Sequence, residues 1–284
     1  MNLTTCGQVL AAAYSSGLER LDAQLLLLHA LGKPASARSW LLAHDLDQLA
    51  QEVIDAFHAM SLRRIAGEPL AYLVGNKEFF GLALQVDARV LVPRPDTETL
   101  VEWSLELLKT FDASAVLQVL DLGTGSGAIA LAVVHNLKAM EREAAVTGVD
   151  ASVAALDVAR ENARRLGLAV QFIESNWLAQ VSGRFQLIAS NPPYIASADP
   201  HLAALTHEPL HALVAGKDGL DDIRQIINQA PGSLVTGGWL VLEHGYDQAG
   251  QVRELLIQQG FAQVQSRLDL AGIERCSGGQ WLGG

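Results

Sequence analysis

The stretch Leu120-Asp121-Leu122-Gly123-Thr124-Gly125-Ser126-Gly127 indicates the fold class. Its apolar first half is typical of a buried strand, and its glycines let a ligand approach the backbone where the chain turns into a helix. Asp150 ends the next apolar segment, where such folds place a carboxylate that accepts hydrogen bonds from two ribose hydroxyls. This pattern predicts a nucleotide-type cofactor pocket, and by itself it does not separate a dinucleotide from S-adenosylmethionine.

Segments typical of strands and helices alternate around this turn. Strands are predicted over residues 116–122, 145–150, 169–173, 185–190, 239–243, 262–268 and 275–282. Helices are predicted after Gly127 and over residues 152–166, 221–230 and 248–259. Such alternation indicates βαβ units and a parallel sheet. We therefore predict an α/β, doubly wound domain over residues 96–284.

The chain before residue 96 has a different pattern. Apolar residues recur at spacings of three and four up to about residue 72, which predicts a small helical bundle over residues 1–72. Short apolar segments on either side of Gly81 predict a β-hairpin linker over residues 73–95. Asp96-Thr97-Glu98 then offers capping side chains and N-terminal acids for the first helix of the α/β domain.

Composition and charge limit the class of protein. Half of the 284 residues are hydrophobic and 18% are charged, which excludes intrinsic disorder. The formal net charge of −11 has the wrong sign for a protein that binds nucleic acid by neutralising phosphates. The two cysteines, Cys6 and Cys276, lie at opposite ends of the chain, which favours reduced, structural thiols.

The sequence also bears on localisation. It contains no run of about 18 apolar residues and no pattern of a signal peptide. We expect a cytoplasmic protein with no membrane contact and no direct nucleic-acid partner.

A second motif, Ser190-Asn191-Pro192-Pro193-Tyr194, follows the fourth predicted strand. Two consecutive prolines cannot continue a strand ladder, so the chain leaves the sheet at the edge where α/β sheets bind ligands. The turn offers the Asn191 amide oxygen and the Pro192 carbonyl as acceptors, and the Tyr194 ring as a flat surface. These groups fit a planar group that carries an NH₂, which favours S-adenosylmethionine over a dinucleotide.

Five segments carry a family resemblance: Gly75-Asn-Lys-Glu78-Phe79, Val92-Pro-Arg-Pro-Asp-Thr-Glu98, Asp121-Leu-Gly-Thr-Gly-Ser-Gly-Ala-Ile-Ala130, Ser190-Asn-Pro-Pro-Tyr-Ile195 and Leu242-Glu-His-Gly245. They resemble the HemK/PrmC family, the peptide chain release factor glutamine methyltransferases, over essentially the whole chain. The resemblance implies a Rossmann-like S-adenosylmethionine-dependent methyltransferase fold, whose mostly parallel sheet has an antiparallel C-terminal strand. The implied substrate is the glutamine of the Gly-Gly-Gln motif in class 1 peptide chain release factors, methylated on its side-chain amide nitrogen.

The resemblance also implies roles for single residues. The methionine part of the cofactor would be held by Gly123, Thr124, Gly125, Ser126 and Gly127. The ribose would be held by Asp150, and Trp177 would lie against the adenine. The glutamine amide would be clamped by Asn191, Pro192, Pro193 and Tyr194. Asn191 would also lie near the cofactor, and Asn191, Pro192 and Tyr194 are the expected catalytic residues.

Two positions depart from the family pattern. Asn176 stands where an acid often precedes the tryptophan, and its amide oxygen still accepts a hydrogen bond. Leu205-Thr206-His207-Glu208-Pro209 replaces a commoner Arg-Phe-Glu-Pro, a difference that concerns the outer substrate contacts.

Other functions remain open from the residues alone. A base edge satisfies the same clamp, so methylation of an adenine or guanine amino group after base flipping is an alternative. A cofactor-binding regulator without catalysis is another, although the intact glycine turn and clamp argue against it. We expect the helical segment up to about residue 72 to dock the release factor.

Three further features receive a structural interpretation. His201, His207 and His211 lie in a proline-broken loop with no nearby cysteine, so we expect no metal site there. We expect His244 to form part of a pocket wall rather than to act as a base. Ser277-Gly278-Gly279-Gln280 imitates the substrate motif, and we interpret this as coincidence within a terminal strand.

Overall fold

The chain forms two compact units in a computed structural model that describes residues 4–283. The units are Met1–Asn76 and Lys77–Gly284. Separate clusters of buried apolar side chains form their cores. None of the helices in the described part of the chain is long and apolar enough to cross a membrane.

The first unit is helical. Its helices are α1 (Cys6–Ser15), α2 (Arg20–Ala30), α3 (Arg38–Ala43), α4 (Gln51–Ile65) and α5 (Leu70–Val74). Thr5 and Gln8 form a capping box at the start of α1, in which each side chain bonds the other residue's backbone N–H. The leucines of α2 are fully buried at positions 26, 27 and 28, so this helix forms the centre of the unit.

The second unit begins with a two-stranded hairpin of β1 (Asn76–Phe79) and β2 (Leu82–Gln85), followed by α6 (Glu98–Leu108). Strands and helices then alternate along the chain as predicted. They are β3 (Leu117–Leu122), α7 (Ala128–Ala139), β4 (Ala144–Asp150), α8 (Val153–Leu166), β5 (Gln171–Glu174), β6 (Phe185–Ser190), α9 (Asp221–Gln229), β7 (Leu234–Glu243), α10 (Ala249–Gln258), β8 (Ala262–Leu268) and β9 (Glu274–Trp281).

Seven of these strands form one sheet, in the order β5-β4-β3-β6-β7-β9-β8. Five neighbouring strands are parallel, and β9 runs antiparallel to both β7 and β8, which confirms the predicted fold class. The strand order reverses between β3 and β6, which are adjacent in the sheet although β4 and β5 lie between them in the chain. Open α/β sheets bind ligands at such a switch point, and both sequence motifs follow these two strands.

Apolar clusters cover both faces of the sheet. Leu117 and Val119 of β3 belong to the cluster formed with α6 and α7. Leu120 and Leu122 belong to the cluster formed with α9 and α10. Because successive side chains of a strand point to opposite faces, a strand buried on both sides reads as a nearly continuous apolar run.

The start of α6 differs from its prediction. Thr97 precedes the helix but has helical backbone angles, and its side chain makes no capping hydrogen bond. Its hydroxyl instead accepts a hydrogen bond from Asn191, 94 residues further along the chain. Asp96 lies beside Arg275 of β9, and Glu98 accepts a hydrogen bond from the Phe80 backbone. The capping prediction is therefore wrong for Thr97, whereas Glu98 does lie in the first turn of α6 as a predicted N-terminal acid.

Candidate active site

Backbone hydrogen bonds close the glycine turn after β3. The Thr124 N–H donates to the Val149 carbonyl and the Gly127 N–H donates to the Thr124 carbonyl, each at 2.8 Å. Gly127 has φ of +83°, and a Cβ there would lie 3.0 Å from the Leu131 side chain. Glycine is thus required both for the backbone conformation and for the close start of α7.

Asp121 lies beneath the turn and is almost fully buried. Its Oδ2 accepts hydrogen bonds from the Thr124 hydroxyl at 2.6 Å and from the Ala130 N–H at 3.1 Å. Its Oδ1 has no hydrogen-bond partner among residues 4–283. Burial raises the pKa of Asp121 to about 7. An unpaired carboxylate oxygen at this depth fits a nearby cationic group of a ligand.

Asp150 stands at the carboxyl end of β4, and backbone N–H groups fix both of its oxygens. Gly125 donates to Oδ2 at 2.9 Å, and Ser152 donates to Oδ1 at 2.8 Å. Ser152 in turn caps α8. Each carboxylate oxygen accepts more than one hydrogen bond, so Asp150 can bind two neighbouring hydroxyls while the backbone holds it in place.

A cavity of about 250 Å³ opens over the turn and Asp150. Its wall includes, besides Asp150, Gly123, Gly125, Asn176, Trp177, Asn191, Pro193, His211 and Asp222. The linker before α6 contributes Arg89, Val90 and Leu91. Backbone, carboxylate and aromatic groups thus line a single cavity at the switch point of the sheet.

Trp177 forms a flat side of this cavity. Its indole Nε1 donates a hydrogen bond to Oδ1 of Asp222 at 3.1 Å, and burial raises the pKa of that carboxyl. A Cβ on Gly123 would lie 3.4 Å from the Trp177 ring, so the ring packs close to the glycine turn. The Trp177 backbone has φ of +49°, a strained conformation of the kind that clusters at functional sites.

A second, smaller cavity of about 90 Å³ adjoins the first. Pro192, Tyr194 and Arg94 line it, and Leu91, Asn191 and Ala212 line both cavities. Two molecules that occupy the two cavities would therefore meet beside Asn191.

The Asn191 side chain has a defined orientation. Its Nδ2 donates a hydrogen bond to the Thr97 hydroxyl oxygen at 3.1 Å. No described residue donates a hydrogen bond to Oδ1 of Asn191 or to the carbonyl oxygen of Pro192. The two acceptors that the sequence predicts are thus available to a ligand.

Glu208 joins two segments that line the cavities. Its buried carboxylate forms an ion pair with Arg94 and accepts a hydrogen bond from the Val92 N–H at 3.1 Å. The loop of residues 196–212 is in this way attached to the segment before α6. Glu208 is the acid that this chain shares with the commoner Arg-Phe-Glu-Pro pattern. It has a structural role here, although Thr206 and His207 depart from that pattern.

Not every residue predicted for the site lies on a cavity wall. Thr124 and Ser126 are buried, and Ser126 accepts a hydrogen bond from the Asn162 side chain through its carbonyl. Together with Gly127 they shape the turn and line neither cavity. Pro193 lines the larger cavity rather than the smaller one.

His244 corrects a second prediction, because it lines neither cavity. The ring is fully buried, with Nδ1 2.9 Å from the Gly245 carbonyl and Nε2 2.8 Å from the Ser277 hydroxyl. Burial lowers its pKa. His244 therefore connects β7 to β9 and is not part of the pocket wall.

Two other predictions concern metal binding and the Gly-Gly-Gln segment. In the part of the chain that the structure describes, no group of three or more His, Cys, Asp or Glu side chains could hold a metal ion. Gly278 and Gly279 lie in β9, where added Cβ atoms would come within 2.5 Å of the Leu240 carbonyl and 2.8 Å of Phe261. Close packing thus accounts for both glycines.

Sequence reasoning missed several residues of the site. The larger cavity is also lined by Arg89, Val90 and Leu91, which lie in the predicted linker, and by Asp222, which lies at the start of a predicted helix. Only their position in the sequence could have indicated a place in the site, because each follows an apolar segment or begins a helix near the carboxyl edge of the sheet. Thr97 carries no such signal, because a serine or threonine before a helix is usually a cap.

Comparison with known proteins defines the class first. A family model described as Methyltransferase small domain matches residues 102–208. The 16S rRNA N2 G1207 methyltransferase of T. thermophilus, solved with AdoMet and guanosine, aligns with a TM-score of 0.53 at 22% identity, covering 72% of this chain and 49% of that one. This likeness concerns the fold alone. The sheet, the glycine turn and the match to this family model are those of a methyltransferase that uses S-adenosylmethionine.

Closer relatives define the family. A PrmC N-terminal domain model matches residues 3–75. The release factor glutamine methyltransferase of Bordetella pertussis is 48% identical over 267 residues, covering 93% of this chain and 95% of that protein. The enzyme of the same name from Burkholderia pseudomallei is 47% identical over the full length of both chains. The chain belongs to the release factor glutamine methyltransferase family.

Proposed function

We propose that this protein transfers a methyl group from S-adenosylmethionine to the side-chain amide nitrogen of the glutamine in the Gly-Gly-Gln motif of class 1 peptide chain release factors. The observation that carries the proposal is the pair of adjoining cavities that meet at Asn191. The larger cavity has groups that suit a nucleoside cofactor. The smaller one has two free acceptors beside an aromatic ring, a set that suits a primary amide.

The residues of the larger cavity fit S-adenosylmethionine. Asp150 would accept from the two ribose hydroxyls, and Trp177 would lie against the adenine. The glycine turn leaves room for the methionine part, and the unpaired Oδ1 of Asp121 beneath it favours an ammonium group nearby. Gly123 and Gly125 form the wall at this point, and Thr124, Ser126 and Gly127 would act by shaping the turn.

The smaller cavity would orient the glutamine. Its amide N–H groups would donate to the Asn191 oxygen and the Pro192 carbonyl, and the Tyr194 ring would restrain the amide plane. An amide nitrogen is a poor nucleophile because its lone pair is delocalised into the carbonyl. Two fixed acceptors favour electron density on that nitrogen as it leaves the plane. Bound S-adenosylmethionine supplies the electrophilic methyl group.

We further propose that the helical unit docks the release factor and that the reaction takes place in the cytoplasm. The net charge of −11 supports a protein partner over a nucleic acid. The two relatives described above are also named as methyltransferases of a release factor glutamine.

A transfer assay with labelled cofactor tests the proposed substrate. The full chain is incubated separately with a class 1 release factor, with structured RNA and with duplex DNA. We expect label in the release factor, and none there when its Gly-Gly-Gln glutamine is replaced by alanine. Label in a nucleic acid alone would support the alternative function of a base methyltransferase. Transfer to none of the three would support the alternative of a cofactor-binding regulator without catalysis.

A further inference from the structure

Arg94 is the one cationic side chain that lines the smaller cavity in the described part of the chain. It forms an ion pair with Glu208, whose carboxylate is 3% exposed and also accepts a hydrogen bond from the Val92 N–H at 3.1 Å. The Arg94 side chain itself is 39% exposed, so it extends from a buried anion to the surface. Its Nη2 donates to Glu208, and its Nε and Nη1 donate to no residue among 4–283, which leaves them available to a ligand.

The ion pair with Glu208 fixes the direction of these available donors. A guanidinium is planar and holds its five N–H groups in a rigid arrangement, so a partner on one nitrogen orients the others. The same pair attaches the segment before α6 to the loop of residues 196–212, and both segments line the smaller cavity. Arg94 is therefore an oriented donor in a cavity whose other polar groups include the acceptor oxygens of Asn191 and Pro192.

A glutamine in a peptide offers two kinds of acceptor to such a donor: its own amide oxygen and the carbonyl oxygens of the main chain. A cation on the amide oxygen would draw electron density away from the amide nitrogen and oppose methyl transfer. The cavity of about 90 Å³ accepts the end of a side chain, so the main chain stays at its mouth, where Arg94 is exposed. In a Gly-Gly-Gln segment the two residues before the glutamine have no side chains, so main-chain carbonyl oxygens are the acceptors within reach there.

We propose that Arg94, oriented by Glu208, binds a main-chain carbonyl oxygen of the substrate beside the reactive glutamine. Arg94 is then a specificity-determining residue, and Glu208 is a positioning residue that acts through it. The identity of the substrate in this inference rests on the proposed function. The contact lies away from the reacting atoms, so it is equally strong in the ground state and in the transition state. Its loss should therefore raise KM and leave kcat nearly unchanged.

Steady-state kinetics of the full chain, with intact release factor as the variable substrate, test the proposal. Arg94→Met removes the donors, and we expect KM to rise about tenfold to hundredfold, the effect of losing a hydrogen bond from a charged group. Glu208→Gln still provides an acceptor for the Val92 N–H but no longer pairs with the charge of Arg94, so a smaller rise is expected. Arg164→Met, at an exposed residue of α8, is the control and should keep the wild-type KM. Calorimetry should show unchanged cofactor affinity in all of these variants.

The double variant Arg94→Met with Glu208→Gln separates substrate binding from damage to the cavity wall. Arg94→Met alone leaves Glu208 as a buried carboxylate without its cation, which destabilises the fold by itself. The double variant removes that charge, so it also serves as the test if Arg94→Met does not fold. A KM in the double variant at least as high as in Arg94→Met supports the proposal. A wild-type KM in the double variant, or a lower kcat with an unchanged KM, would overturn it.

The same assay distinguishes failure of this inference from failure of the proposed function. If the wild-type chain does not methylate release factor and labels a different acceptor, the proposed substrate is wrong. The KM of the double variant for that acceptor then decides whether Arg94 binds substrate: a wild-type value would overturn that role, and a raised value would support it.

Discussion

At the scale of a single residue, Asp150 connects the cofactor cavity to two structural elements. Its oxygens hold the Gly125 and Ser152 N–H groups and retain capacity for two ribose hydroxyls. We predict that Asp150→Ala reduces cofactor affinity by about 2–4 kcal/mol, because charge-assisted hydrogen bonds are lost. Calorimetric titration with S-adenosylmethionine measures this change. Asp157→Ala, an exposed acid on α8, is the control, and equal affinity in both variants would remove Asp150 from the ribose site.

In the proposed mechanism, the chemistry of the clamp depends on Asn191. Asn191→Ala removes an acceptor aimed at the reacting amide, and we predict a kcat lower by about 10²–10³. Asn191→Asp keeps an oxygen toward the substrate but loses the NH₂ that donates to Thr97. Partial activity, well above that of the alanine variant, is expected in single-turnover measurements. An aspartate variant as inactive as alanine, with both folded and binding cofactor, would show that the NH₂ group matters more than the oxygen.

The sequence predicts a site residue where the residue type and the neighbouring segment together indicate it. Asn191 and Asp150 follow apolar strands at the edge where ligands bind, so position and residue type together point to them. The side-chain partner of Thr97, in contrast, lies far away in the chain. Thr97 resembles a helix cap in sequence, and its real partner, Asn191, lies 94 residues away. Such a contact becomes visible only when the sheet brings β6 and the start of α6 together.

The strand β9 shows at the scale of an element why a motif match can mislead. Gly278 is packed so closely that a Cβ would lie 2.5 Å from the Leu240 carbonyl and 2.9 Å from the Trp103 ring. We predict that Gly278→Ala lowers the free energy of unfolding by about 1–3 kcal/mol through overpacking. Chemical denaturation measures the change. Gly232→Ala, where no atom lies within 4 Å of the added Cβ, should have little effect, and equal stability of both variants would contradict the packing explanation.

Element types were predictable and some boundaries were not. The strand β6 has the predicted ends, because an apolar run stops at the motif that follows it. The strand β7 begins at Leu234, five residues before the prediction at Trp239. Gly237 and Gly238 lie inside this strand, beside a shift in register between Phe185 and Leu187. Glycine inside a strand often marks a bulge, and sequence alone does not separate this from a turn.

The whole molecule divides into a helical unit and a catalytic unit, each with its own core. If the helical unit docks the release factor, a chain that begins at Lys77 should bind S-adenosylmethionine with nearly unchanged affinity. Its KM for intact release factor should rise, since binding that is equal in ground and transition states is lost. Steady-state kinetics with release factor as the variable substrate measures this effect. An unchanged KM would assign the docking surface to residues 77–284.

The most direct test of the central claim locates the methyl group on the substrate. Release factor is incubated with the full chain and S-adenosylmethionine, digested, and the Gly-Gly-Gln peptide is fragmented in a mass spectrometer. We predict an increase of about 14 Da, the mass of one methyl group in place of a hydrogen, confined to the glutamine and accumulating about 10²–10³-fold more slowly with Asn191→Ala. An unmodified glutamine, or a methyl group on any other residue of the release factor, would contradict it.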